Sequence, residues 1–138
     1  MIGHGGVVAC QRRSVSSAGK VTTFAGLSEY KLVGGTWTRV ATFQAGLLDQ
    51  PTYSAGLPWS IKADGLRNLA GQVNADGSFT LYATTSTVSD EPSHDTGADP
   101  NQLVTITIGA GSTPTNTSFT VLQTAQAGER LGGVVVVP

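Results

Sequence analysis

Leu69-Ala70-Gly71-Gln72-Val73-Asn74-Ala75-Asp76-Gly77-Ser78-Phe79-Thr80-Leu81-Tyr82-Ala83-Thr84 is the stretch that decides the fold class. Phe79, Leu81 and Ala83 alternate with Thr80, Tyr82 and Thr84, a period of two that sets an apolar face against a polar one on an extended strand. Residues 67–73 read as the preceding strand, and Asn74-Ala75-Asp76-Gly77 closes it. Its Asp-Gly supplies the positive φ that a tight hairpin requires.

The same grammar extends in both directions. Residues 102–108 carry Leu103 and then Val104, Ile106 and Ile108 at period two, and residues 118–124 form a fourth strand beyond a loop containing Gly109, Gly111 and Pro114. Toward the N-terminus, residues 6–9, 20–24, 30–33 and 36–43 read as four more strands, with Gly34-Gly35 as the clearest turn. The expected organisation is one all-β domain: a first unit over 1–45, a connection over 46–65 with Pro51, Pro58 and Trp59, a second unit over 66–126, and a closing strand over 127–138.

Composition agrees. The chain has 138 residues, enough for one core and not several. With 12% charged residues and 18 glycines it has the balance of short strands joined by tight turns. A net charge of −1 excludes a generally basic nucleic-acid surface, so no nucleic-acid partner is expected. The charge is nevertheless uneven. Up to Arg67 seven basic residues face three acidic ones, and from Asn68 onward one basic faces six acidic, giving about +4 and −5. No apolar run approaches the roughly 20 residues that span a bilayer, so a soluble chain without a membrane partner is expected. Met1-Ile2-Gly3-His4-Gly5-Gly6 shows no basic region followed by an apolar core, so no secretory signal is read. The single Cys10 forms no intramolecular disulfide and leaves extracellular or periplasmic use open.

Three segments repeat a glycine followed by apolar residues: Gly5-Gly6-Val7-Val8-Ala9, Leu69-Ala70-Gly71-Gln72-Val73 and Leu131-Gly132-Gly133-Val134-Val135. Gly6, Gly71 and Gly133 stand roughly sixty residues apart, a long period for a blade repeat but one that loop insertions accommodate. Leu66-Arg67-Asn68-Leu69-Ala70-Gly71-Gln72-Val73, Asp76-Gly77-Ser78-Phe79-Thr80-Leu81-Tyr82-Ala83-Thr84-Thr85, Gln102-Leu103-Val104 and the terminal Leu131-Gly132-Gly133-Val134-Val135 resemble blades of bacterial β-propeller repeat proteins, from about Tyr30 onward. The resemblance implies about two four-stranded antiparallel blades; a β-sandwich is the structural alternative. Two blades leave two sheets uncovered, so completion by oligomerisation is expected, head to tail, with opposite charges meeting. Some small lectins close a six-bladed ring from three two-blade chains, and this chain is similar to them in size and strand count, which makes a trimer the expected homo-oligomer.

Candidate chemistry concentrates in Ser89-Asp90-Glu91-Pro92-Ser93-His94-Asp95-Thr96-Gly97-Ala98-Asp99-Pro100-Asn101, where four carboxylates fall within ten residues. Oxygen-rich loops suit hard cations, so Asp90, Glu91, Asp95, Asp99 and Asn101 are candidate ligands for Ca2+. The order of an EF-hand is absent, and a plain soluble loop is the simpler reading. His94 and Asp95 are the candidate catalytic residues, acting as base toward a metal-bound water. Propellers containing calcium that hydrolyse lactones and esters make this chemistry compatible with the resemblance, by fold only. Trp59, Tyr53 and Tyr82 are candidate ligand-binding residues, offering flat faces for a glycan or other small molecule, against the simpler reading of packing between blades. Trp37 lies in a clean strand pattern and reads as structural. The residues are compatible with three functions: a propeller-type ligand-binding or assembly module; a Ca2+-dependent hydrolase of small esters or lactones; and a purely structural repeat fragment. They leave open whether the chain is an enzyme.

Overall fold

Two antiparallel sheets account for the regular structure in the computed structural model, which describes residues 6–11, 25–89 and 99–137. The first sheet runs in the order β1 (Gly6–Gln11), β2 (Gly26–Val33) and β3 (Thr36–Phe43). The second runs β4 (Ile61–Val73), β5 (Phe79–Ser89), β6 (Gln102–Ile108) and β7 (Thr120–Thr124). The chain is therefore all-β. Among the described residues no helix is long and apolar enough to cross a membrane.

Turn chemistry sets the hairpins. Gly34 and Gly35 have φ of 57° and 84°, the two successive left-handed residues of a type I′ turn, and they connect β2 to β3 with the shortest possible loop. Between β4 and β5, Asn74 N–H donates to the Ser78 carbonyl (2.8 Å), and the Asp76 carboxylate accepts from Ser78 N–H (2.9 Å) and Ser78 Oγ (2.6 Å). Those two donors hold the Asp76 carboxyl below its ordinary value, the side-chain bond contributing most.

Several boundaries differ from expectation: β1 runs on to Gln11, β2 already starts at Gly26, and β5 continues past Thr84 to Ser89. The strand expected over 20–24 lies outside the described residues. β1 pairs directly with β2, Ala9 opposite Ser28, so the first sheet has three strands among the described residues. β4 starts at Ile61 rather than at Arg67, because bulges between Ala63 and Gly65 and between Leu66 and Leu69 break the alternation that a sequence pattern needs. Ile61, Ala63 and Leu66 are buried all the same.

The core joins both sheets. Leu27 and Phe43, paired across β2 and β3, meet Leu47 from the following turn, Ala63 and Leu66 of β4, Leu81 and Ala83 of β5, Val104 and Ile106 of β6, and Phe119. Leu81 and Ala83 face inward as their alternation requires. Phe79, on the same face, stays 43% exposed because it lies at the end of β5, beyond the core. β4 lies across the first sheet and touches β1 and β2.

The last two strands of each sheet repeat in register. Ser28 pairs with Thr42 and Glu29 with Ala41, a bulge follows, and Tyr30 pairs with Arg39. Gln102 pairs with Thr124 and Leu103 with Gln123, a bulge follows, and Val104 pairs with Val121. Each threonine is hydrogen-bonded across the pair, Thr42 with Ser28 Oγ (3.3 Å) and Thr124 with Gln102 Nε2 (3.2 Å). Each ladder then runs through a fully buried residue, Phe43 or Ala125, into the same tripeptide, Gln44-Ala45-Gly46 or Gln126-Ala127-Gly128. The turn bonds coincide as well: Leu47 N–H to Gln44 O (3.0 Å) and Glu129 N–H to Gln126 O (2.9 Å). β2 and β3 thus correspond to β6 and β7, and β1 corresponds to β5. The glycine motif had aligned residues 5–9 with the end of β4, one strand out of phase.

Candidate functional site

The connection from β3 to β4 is fastened to the start of β4 through Tyr53, whose N–H donates to Ile61 O (2.9 Å) and whose carbonyl accepts from Ile61 N–H (2.7 Å). This brings two aromatic handles to the point where the chain enters β6. Tyr53 Oη donates to Pro100 O (2.9 Å), and Trp59 Nε1 donates to Asp99 Oδ1 (3.1 Å). Burial, and then the Asp99 carboxylate, push the Tyr53 phenol above its ordinary value, so it stays a donor throughout the neutral range.

Asn101 continues the same knot. Its Nδ2 donates to Thr85 O (3.2 Å) and Leu131 O (3.0 Å), while its Oδ1 accepts from Leu131 N–H (2.7 Å). A side-chain amide that gives and takes on one residue copies the pairing of a strand neighbour, and it fixes where the last segment of the chain begins. Gln102 N–H donates to Thr85 Oγ1 (3.0 Å) beside it. Asp99 and Asn101 are both 2% exposed.

The structure therefore unites four of the candidate residues, Tyr53, Trp59, Asp99 and Asn101, at one end of the second sheet. Tyr82 stands apart. It alternates with Leu81 and Ala83, so it faces away from the core, opposite Ala70 and Thr105 in the ladder. Asp90, Glu91, His94 and Asp95 lie outside the described residues. Trp37, read as structural, is 50% exposed opposite Leu32.

Two polar residues at this end carried no signal in the sequence. Asp64 occupies the β4 bulge that faces Ser86 and Thr87, and Ser86 lies in β5. Asp64 Oδ1 and Ser86 Oγ are buried with no hydrogen-bond partner among the described residues. A bulge hides such a residue, because it re-aims a side chain that strict alternation would send to the other face. Among the described residues no three His, Cys, Asp or Glu side chains gather as a metal-binding group. The donors present can pin loops, and the carboxylate oxygens of Asp64 and Asp99 are of the kind that can face a cation.

In comparisons with known proteins, no family model, no curated protein and no solved structure matches the chain.

Proposed function

We propose that the chain is a β-propeller-type binding or assembly module, in which copies associate so that uncovered sheets become neighbours and the loops at the sheet ends face a ligand such as a glycan. The observation that carries this reading is the in-register repeat of β2–β3 in β6–β7, down to the bulge and the Gln-Ala-Gly turn. A unit that repeats in register stacks on its neighbour in one way, and stacking leaves the outer faces in want of further units. The opposite charges of the two parts suit a head-to-tail contact. Light scattering tests it: a mass that is an integer multiple of 14.1 kDa supports the reading, and 14.1 kDa at every concentration refutes it.

A second reading, a Ca2+-dependent hydrolase of small esters or lactones, is favoured by buried Asp64 Oδ1 and Ser86 Oγ, at the end of the sheet from which residues 90–98 depart. Buried oxygens of this kind are costly unless something compensates them. On this reading Ca2+ raises the unfolding midpoint, EDTA reverses the rise, and Asp64→Asn abolishes it; a midpoint indifferent to Ca2+ removes the reading.

A further inference from the structure

The two sheets are unequal in one respect. In the second sheet β5 has β6 on one side and β4 on the other, whereas β1, its counterpart, has β2 on one side and no described strand on the other. Among the described residues the first sheet has no hydrogen-bonded equivalent of β4. The chain also carries a β4-like segment that belongs to no sheet. β4 is the strand reached after the Gln44-Ala45-Gly46 turn, and residues 131–137 occupy the corresponding place after the Gln126-Ala127-Gly128 turn.

Among the described residues, the hydrogen bonds that hold residues 131–137 fall at Leu131 and Gly132. Asn101 grips Leu131, and Asn68 Nδ2 of β4 donates both to Gly132 O (3.2 Å) and to Thr84 Oγ1 (3.1 Å). Thr84 is on the Tyr82 face of β5, so the segment starts, at Gly132, on the face of the second sheet that is turned away from the core. Beyond Gly132 no backbone–backbone hydrogen bond joins the segment to a described residue. Val134 and Val136 are half-buried and Val135 and Val137 are each 79% exposed, the period of a strand with one face covered. A run of four valines whose backbone pairs with no described residue is a strong template for another strand.

We infer that residues 131–137 of one copy extend the first sheet of a second copy, pairing antiparallel along the edge of its β1 that has no hydrogen-bonded neighbour among the described residues, as β4 pairs with β5. The inference rests on the assembly reading above and names its interface. The contact is heterologous: each copy gives a strand and receives one, so association continues until the rotation closes. It joins the acidic C-terminal part of one copy to the basic N-terminal part of the next, at about −5 and +4.

Proline tests it, because it removes one backbone donor and consecutive donors point to opposite sides of a strand. Val134→Pro and Val135→Pro are made separately in the full chain, and circular dichroism and the unfolding midpoint check that each folds. At a concentration where the unmodified chain is assembled, at least one variant is expected at 14.1 kDa. Two variants that assemble like the unmodified chain overturn the strand exchange but leave assembly standing. An unmodified chain that is monomeric throughout overturns both. A second measurement is independent of proline: Val135→Cys, treated with a short bismaleimide, is expected to link to Cys10 in β1 of another copy as a ladder of multiples of the chain mass. Links confined within single chains, or none, overturn the inference.

Discussion

Gly46→Ala and Gly128→Ala place the same methyl group in equivalent turns, and the structure assigns them different costs. Both glycines are left-handed, with φ of 72° and 82°, so each alanine bears the backbone penalty of about 1–2 kcal/mol. At Gly128 nothing lies within 4 Å of the added Cβ. At Gly46 the Cβ would strike the Phe119 carbonyl oxygen and come 2.9 Å from Phe119 N. That backbone cannot swing aside cheaply, because Phe119 N–H donates to Ala45 O (2.8 Å) and the Phe119 side chain is 4% exposed in the core. Overpacking of this kind adds about 1–3 kcal/mol, so Gly46→Ala is expected to cost about 2–5 kcal/mol against about 1–2 for Gly128→Ala. Urea unfolding followed by tryptophan fluorescence measures both, with the slope required to stay constant. Equal losses, or a larger loss at Gly128, would refute the reasoning that the Cβ position of the first turn is closed off by Phe119 while that of its counterpart is open.

Phe43→Ala empties a site that is 0% exposed where the two sheets meet, and is expected to cost about 3–5 kcal/mol in one cooperative transition; two separate transitions would show that the sheets do not share a core. Trp59→Phe removes the donor to Asp99 Oδ1 and should cost about 1–2 kcal/mol by thermal or chemical unfolding, with no loss counting against the clamp. Asp76→Ala removes the carboxylate that accepts from Ser78. Because the folded carboxyl sits below its ordinary value of 3.8, the wild-type advantage is complete above that value and shrinks as the pH falls through the lowered one. Parallel unfolding curves from neutral to acid pH check this, and an advantage that grows in acid contradicts it.

β6 and the cleanly alternating first half of β5 were legible in the sequence, as were the Gly34-Gly35 and Asp76-Gly77 turns, because their signals are local; residues 85–89, where Thr85, Ser86 and Thr87 give no apolar alternation, were not. β4 was half legible. Its first six residues, Ile61-Lys62-Ala63-Asp64-Gly65-Leu66, carry a bulge that shifts side-chain parity, and with it Asp64 was hidden. The glycine motif does not mark the repeat that the register shows: a Gly-Val pattern is common to any strand entry, whereas the Gln-Ala-Gly turn that fixes the correspondence is only three residues long. Trp59, Tyr53, Asp99 and Asn101 could be suspected singly from residue type. Their meeting depends on a long connection folding back along β4, which no spacing rule encodes. Asn101 shows the limit most plainly, since its amide holds Leu131, thirty positions away in sequence.

Backbone amide exchange on the unmodified chain, concentrated and diluted, tests the central claim most directly. The account predicts that the amides of residues 133–137 and of β1 are protected in the concentrated sample, on the side of each strand that pairs, and lose that protection on dilution, while those of β5 and β6 do not change. Exchange in residues 133–137 that is fast and identical at both concentrations would contradict it.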